Sequence, residues 1–405
     1  MNIRKLQKRP QMWPLKCVLK VNLKLLVAIF VALGCLMISL VLEIGEKAGR
    51  GNHEFPALKS GLQPGILSLG EKNNLGGLEI PAFKSGSNSE TLTIAYAISL
   101  VKCGDHQSTA SGLTDAALVL RHSIHLTHLK SKYKYKMYAI VHKQAEACSQ
   151  ILRDVGFEIE LVFQPVATHE IRGDYLRANI HREWCCGHSE FIKLYAYRLP
   201  HPVIVHVDID FAFFKPMDDL FDAILYDKES PTGRAARAKI PLERPEAGYP
   251  DKIDAFVTRD WPQVRPGRKP GYQAGFLVAR RDPTVVDEVV EIIREGNFTA
   301  GFGRDNGWGG GGYGGFVGAM AMQGLMAYYY DMVRPNTAVE LNQCRYNHMG
   351  MNVLYTSYPN FSKNHPKRGR CRNDRDYCED CRNTSFSLIY NVHYTQCKCW
   401  KLLCL

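Results

Sequence analysis

The stretch VIVHVDIDFAFF, residues 203–214, constrains the fold more than any other part of the chain. Val203–Val207 is a near-continuous apolar run, as a central parallel strand covered on both faces should be. Asp208 and Asp210 break the pattern at its carboxyl end. An ionised aspartate buried without a partner costs on the order of several kcal/mol. Either the run leaves the interior at Asp208, or a cation meets the carboxylates. Residues two apart in extended chain point to one side, so the pair can address one object together. Hard oxygen donors of this kind suit Mn2+ or Mg2+, with phosphates and water completing the shell. As a bare pattern, D-x-D is a weak signal, and its ordinary reading is a surface loop.

The neighbouring segments supply a sheet for that strand. TLTIAYAISL (91–100), KMYAIVH (136–142) and EIELVFQPV read as strands, and TDAALVLRHSIHLTH (114–128) as a helix with Ala117, Leu120 and Ile124 inward. AEACSQILRDVGF is a second helix ending near Gly156, and SEFIKLYAYRL (189–199) a third before Pro200 and Pro202. Strands alternating with helices predict an α/β domain with a mainly parallel sheet. Ligands of such sheets lie beyond the carboxyl ends of the strands, where Asp208 and Asp210 stand.

The net charge of +11 invites a nucleic-acid reading, which its distribution argues against. Residues 1–24 carry seven of those charges (Arg4, Lys5, Lys8, Arg9, Lys16, Lys20, Lys24) and no acid, leaving +4 for the rest. Leu25–Leu42 then runs eighteen residues without a charge, near the lower length of a membrane-spanning helix. A buried core helix would show a polar face, and a cleaved signal peptide would show a shorter apolar run and a small-residue site. The reading preferred is a retained signal anchor of type II, with a cytosolic tail (1–24), an anchor (25–42) and a lumenal remainder. Residues 43–90, rich in Gly, Ser, Asn and Pro, read as a flexible stem. A catalytic domain over 91–345 and a Cys-rich segment over 346–405 follow.

A lumenal setting makes disulfides the default for the eleven cysteines beyond Cys17 and Cys35. Cys371, Cys378, Cys381, Cys397, Cys399 and Cys404 could imitate a zinc ribbon, but the later pair is C-x-C. Three sequons, at Asn297, Asn360 and Asn383, agree with a lumenal chain.

From about Thr91 to Trp400 the chain resembles the glycogenin-like glycosyltransferases, family eight of the sugar-transferase classification. SGLTDAALVLRHSIH and EFIKLYAYRL are similar to two helices of that family, the second placing Lys193 at its T-K-L lysine. VIVHVDIDFAFFKPMDDLF resembles its D-x-D strand and D-E-L-F segment; GYQAGFLVARRDP resembles its N-S-G-V block, placing Gln273 and Gly275. AMQGLMAYYY is similar to D-Q-G-L-L-N, placing Gln323, and VHYTQCKCW to the closing H-F-x-x-x-x-K-P-W, placing His393, Lys398 and Trp400. The resemblance implies a GT-A fold, Mn2+, a UDP-sugar donor and retention of anomeric configuration. It implies Asp208, Asp210 and His393 as metal ligands and Lys398 on the diphosphate. Lys193, Gln273 and Gln323 complete the implied catalytic set. Three positions depart from it: Met322 replaces an acid, Gln273 a shorter amide, and Cys399 a proline in a block one residue short.

Two features stand beside the motifs. GFGRDNGWGGGGYGGF (301–316) lacks the G-K-[ST] of a phosphate loop; it reads as an active-site loop with Trp308 or Tyr313 against a sugar face, or as a linker. The cluster Lys363, Lys367, Arg368, Arg370, Arg372, Arg375 reads as a solvated loop, with an acidic acceptor as the other possibility. The sequence therefore predicts a Golgi-membrane enzyme passing a sugar from UDP to a glycan, glycoprotein or glycolipid, with no nucleic-acid partner. The alternative is a non-catalytic lumenal sugar-binding or scaffold protein on a degenerate form of the same fold.

Overall fold

The computed structural model describes residues 91–103, 107–183, 187–261, 269–301, 303–351 and 379–395, all within one compact unit, Ser85–Leu405. The expected anchor and stem, the basic cluster at 363–375, Asn360 and Lys398 lie outside the described residues, as do Cys371, Cys378, Cys397, Cys399 and Cys404. Among the described residues no helix is long and apolar enough to cross a membrane.

In chain order, β1 (Thr93–Leu100) leads to α1 (Gln107–His128), β2 (Lys134–His142), α2 (Ser149–Val155), β3 (Glu158–Val162) and α3 (Asp174–Asn179). Next come β4 (Val203–Val207), β5 (Phe211–Phe213), α4 (Asp218–Leu225), α5 (Pro231–Lys239), β6 (Ala255–Arg259) and β7 (Tyr272–Arg280). The chain continues through α6 (Pro283–Glu295), β8 (Phe298–Thr299), β9 (Gly307–Trp308), α7 (Met322–Tyr328), β10 (Ala338–Glu340) and β11 (Asn391–His393). Seven strands form one sheet in the order β10-β6-β7-β4-β1-β2-β3. Every neighbouring pair in it is parallel except those of β7, which runs against both β4 and β6. The mixed α/β class and the mainly parallel sheet are as the sequence predicts.

β4 sits at the centre of that sheet with all five residues buried. Val203, Val205 and Val207 join a core built with Leu113, Ala117, Leu120 and Ile124 of α1, whereas Ile204 packs on Ile192 and Ala196 across the sheet. Each such aliphatic side chain stabilises the fold by about 2 kcal/mol through burial. Helix ends carry their signals. α2 stops at Gly156, whose φ of 97° lets its N–H reach the carbonyls of Leu152 and Arg153. α6 starts behind Asp282, which accepts from Thr284 N with Pro283 in the first turn, and stops at Gly296.

The segment expected as an α-helix over 189–199 is wound instead as 3₁₀ turns over Gly187–Arg198. Three residues per turn put positions i and i+3 directly above one another, which matters for Glu190 and Lys193 below. Two disulfides join Cys103 to Cys148 and Cys344 to Cys381. The second uses Cys381, so the zinc-ribbon alternative for that cysteine is set aside in favour of the disulfide reading.

The glycine-rich run is neither a linker nor a stacking platform. Trp308 and Tyr313 are fully buried; the indole N–H donates to the Ala319 carbonyl at 2.8 Å and the Tyr313 hydroxyl to Asp331 Oδ2 at 2.8 Å. Neither ring has a face left for a sugar. Gly307 shows why glycine is needed here: φ is 83° and a Cβ would stand 2.3 Å from the Tyr313 carbonyl carbon.

Candidate metal centre

The centre forms where β4 ends. The backbone N–H of Asp208 still bonds to the Gly275 carbonyl of β7 at 3.0 Å, and the chain then turns into β5. β5 pairs antiparallel with β11, setting His393 opposite Phe211, and Tyr394 N donates to the Asp210 carbonyl at 3.0 Å. A residue some 180 positions along the chain is thereby delivered beside the two aspartates. Its ring stacks on Phe211 with centroids 4.4 Å apart. The Cys344–Cys381 disulfide ties the strand's approach to the segment after β10.

His393 Nε2 lies 3.3 Å from Asp210 Oδ1 and 3.8 Å from Asp208 Oδ2. One donor atom from each of Asp208, Asp210 and His393 falls within 4.8 Å of the others. The other ring nitrogen settles the tautomer. Asn347 donates through Nδ2 to Thr258 Oγ1 at 2.7 Å, so its Oδ1 is an acceptor, and it stands 2.9 Å from His393 Nδ1. Nδ1 therefore carries hydrogen, and Nε2 is the atom turned to the carboxylates. Nε2 is buried and has no hydrogen-bond partner among the described residues. A buried imidazole nitrogen facing two carboxylates calls for positive charge between them, and a metal cation on Nε2 supplies it. Two carboxylate oxygens and one imidazole nitrogen fit a divalent ion such as Mn2+, with the histidine held from behind. Gly275 makes the room. A Cβ there would stand 2.7 Å from both Asp208 Oδ2 and His393 Cε1.

Lys193 reaches the same place from the 3₁₀ segment. Its ammonium donates to Asp208 Oδ1 at 3.0 Å, Glu190 Oε1 at 3.0 Å and the Ala274 carbonyl at 3.1 Å. Gln273 folds back on its own strand, its Oε1 accepting from Gly275 N at 2.6 Å. Gln323 sits one residue into α7; with its amide nitrogen toward Asp260 it donates to Asp260 Oδ2 at 3.1 Å and to the Val317 carbonyl at 3.2 Å. Burial pushes the Asp260 carboxyl up to about 7, against the pull of the Gln323 hydrogen bond.

Three residues absent from the sequence reading thus belong to this region. Glu190 is visible there only as an acid three residues before Lys193, and Asp260 as an acid following an apolar strand. Asn347 carries no local signal at all. Asp331 does not stand in for the acid missing at Met322, because Arg259, Tyr272 and Tyr313 hold it elsewhere. Beyond the centre, a cleft of about 510 Å³ is lined by Arg259, Trp261, Asp331 and Glu340 among others. Arg259 and Glu340 end strands that run in the same sense as β4, so this cleft opens at the same edge of the sheet.

No protein-family model and no curated protein sequence matches the chain. Solved structures do. Mouse xyloside xylosyltransferase 1 in its apo form superposes with a TM-score of 0.34 at 12% identity, over 63% of this chain and 87% of that one. The galactosyltransferase LgtC, solved with donor and acceptor sugar analogues, gives 0.38 at 12% identity, over 75% and 87%. The glycosyltransferase GlyE of Streptococcus pneumoniae TIGR4 gives 0.31 at 10% identity, over 64% and 48%. At these scores the superpositions are loose.

Proposed function

We propose that this chain is a metal-dependent glycosyltransferase of GT-A fold that takes a UDP-sugar as donor and a glycan, glycoprotein or glycolipid as acceptor. The observation that carries the reading is the convergence of Asp208, Asp210 and Nε2 of His393 at the carboxyl end of the central strand. The glycogenin-like motifs, the uncharged run Leu25–Leu42 behind a basic tail and the sequons support a retaining enzyme held as a type II protein in the Golgi membrane.

When bound, the metal neutralises the donor diphosphate and eases departure of UDP. Asp208, Asp210 and His393 would hold it, with Asn347 keeping a hydrogen on Nδ1 so that Nε2 is the atom offered. Lys193 fixes the orientation of Asp208. Lys398 is assigned to the diphosphate by its motif. The polar cleft beside Arg259 and Glu340 offers an acceptor a place on the same edge of the sheet. Front-face attack is the simplest route to retention, because Met322 stands where the motif places an acid.

Calorimetric titration of the purified lumenal part with UDP tests this reading. Binding in Mn2+, its loss in a chelator and its loss in Asp210→Asn are expected. UDP binding that ignores both chelation and Asp210→Asn would overturn it.

A further inference from the structure

Met322 raises a question that the metal ligands leave open: the acid expected before Gln323 is absent, yet a carboxylate does meet this point of the fold. Glu190, itself almost wholly buried, accepts the Met322 backbone N–H through Oε2 at 3.3 Å and the Lys193 ammonium through Oε1 at 3.0 Å. The 3₁₀ winding makes this possible, since it stacks Glu190 directly over Lys193. A continuous path runs from the first residue of α7 through Glu190 and Lys193 to Asp208.

The charges along that path have a consequence for the metal. Lys193 and a divalent cation both draw on Asp208, and two buried cations sharing one carboxylate repel each other. Counting Lys193, Glu190, Asp208 and Asp210, with His393 neutral, these groups sum to a net charge of two negative units, which a divalent ion cancels. With Glu190 neutralised, the loaded centre would carry an uncompensated positive charge in a largely buried place, where such charges are costly. We propose that Glu190 is a positioning residue of the metal centre. It neutralises Lys193 so that the negative charge of Asp208 remains available to the ion, and it joins the centre to the start of the helix bearing Gln323. The inference rests on the metal reading of Asp208, Asp210 and His393 and assigns Glu190 no contact with substrate.

The test is a thermodynamic cycle read by Mn2+ binding, followed by electron paramagnetic resonance of the free ion and needing no turnover. Four proteins are compared: wild type, Glu190→Gln, Lys193→Met and the double variant. Glu190→Gln is expected to bind Mn2+ at least about ten-fold more weakly. Lys193→Met is expected to bind at least as tightly as wild type. In the Lys193→Met background the added Glu190→Gln change is expected to cost less than about two-fold, because the cation it answers is gone. A purely structural Glu190 would weaken binding equally in both backgrounds, and that result overturns the proposal. Equal affinity of wild type and Glu190→Gln overturns it too, while leaving the metal reading intact. If Glu190→Gln does not fold, comparison of Lys193→Met with the double variant still decides: a large difference between them contradicts the proposal and equality supports it. Absence of Mn2+ binding in wild type removes the metal reading and this inference together.

Discussion

The side-chain oxygen of Asn347 stands 2.9 Å from Nδ1 of His393 and decides which nitrogen of that imidazole carries the proton. The decision is transmitted from Thr258, near the carboxyl end of β6, because the Asn347 amide is committed to donating there. Asn347 also holds a left-handed φ of 51°, a conformation that glycine tolerates equally well. Asn347→Gly therefore removes the side chain with little backbone strain. Mn2+ affinity is expected to fall about 10- to 100-fold, with a stability loss of about 1–3 kcal/mol from the broken hydrogen bonds. Metal titration and denaturant melts on the same sample check both numbers; unchanged affinity would detach Asn347 from the centre.

Gly275 tests the space that the ligands need. Gly275→Ala places a methyl 2.7 Å from Asp208 Oδ2 and from His393 Cε1, both of which must shift. Overpacking of this kind costs about 1–3 kcal/mol in stability. The expected result is a chain that still melts cooperatively and binds Mn2+ at least about ten-fold more weakly. Wild-type affinity in this variant would mean that the ion, if it binds, sits elsewhere.

Asp260 and His206 bend stability with pH in opposite senses. With its carboxyl pushed up to about 7, folded Asp260 keeps its proton where the unfolded chain has ionised. That contribution is present below about pH 4 and is lost as pH rises to about 7. Burial, reinforced by nearby Lys193, lowers the His206 imidazole to about 3, and it stays neutral beside Ser99 Oγ at 2.8 Å. The unfolded imidazole takes a proton below about pH 6.5 and the folded one does not, so this contribution is lost as pH falls towards about 3. Across about pH 4 to 6.5 the two slopes oppose each other. Relative to wild type, Asp260→Asn is expected to gain stability as pH rises through that interval, and His206→Gln to lose it. Melts at about pH 4.5 and about pH 6.5 decide; parallel pH profiles for all three proteins would contradict both assignments.

The Cys344–Cys381 disulfide spans a sequence separation of 37 residues, a loop whose closure is worth about 4 kcal/mol in the chain-entropy account. Replacing both cysteines by alanine is expected to lower stability by about that much or less and to loosen the approach to β11. Metal affinity should fall more than it does when Cys103 and Cys148, at the end of β1 and the start of α2, are replaced instead. Equal effects from the two pairs would show that the disulfide does not serve the centre.

What the sequence reveals about this molecule follows the range of the interactions involved. β4 and its aspartates are legible because a buried central strand has no business with carboxylates unless its end meets something polar. His393 is one of fourteen histidines and stands out only through its motif, since β11 reaches β5 across a long separation. Asn347 acts through a left-handed turn and two tertiary hydrogen bonds, none of which leaves a local pattern. Trp308 and Tyr313 look like exposed rings among glycines, but packing against the turns before α7 and Asp331 buries them. The partner of Cys381 is likewise beyond spacing rules, because several connectivities are open to so many cysteines. The 3₁₀ winding of Gly187–Arg198 gives Glu190 its role, yet its apolar spacing also suits an α-helix.

The most direct test of the central claim is UDP release by the purified protein across a panel of UDP-sugars, with Mn2+ and with a chelator. The account expects one donor to be turned over in Mn2+ alone, and Asp208→Asn and His393→Ala to lower its rate by at least about 100-fold while melting as folded proteins. Release that persists in chelator, or full activity in either variant, would contradict it, as would no release from any donor by the metal-loaded protein.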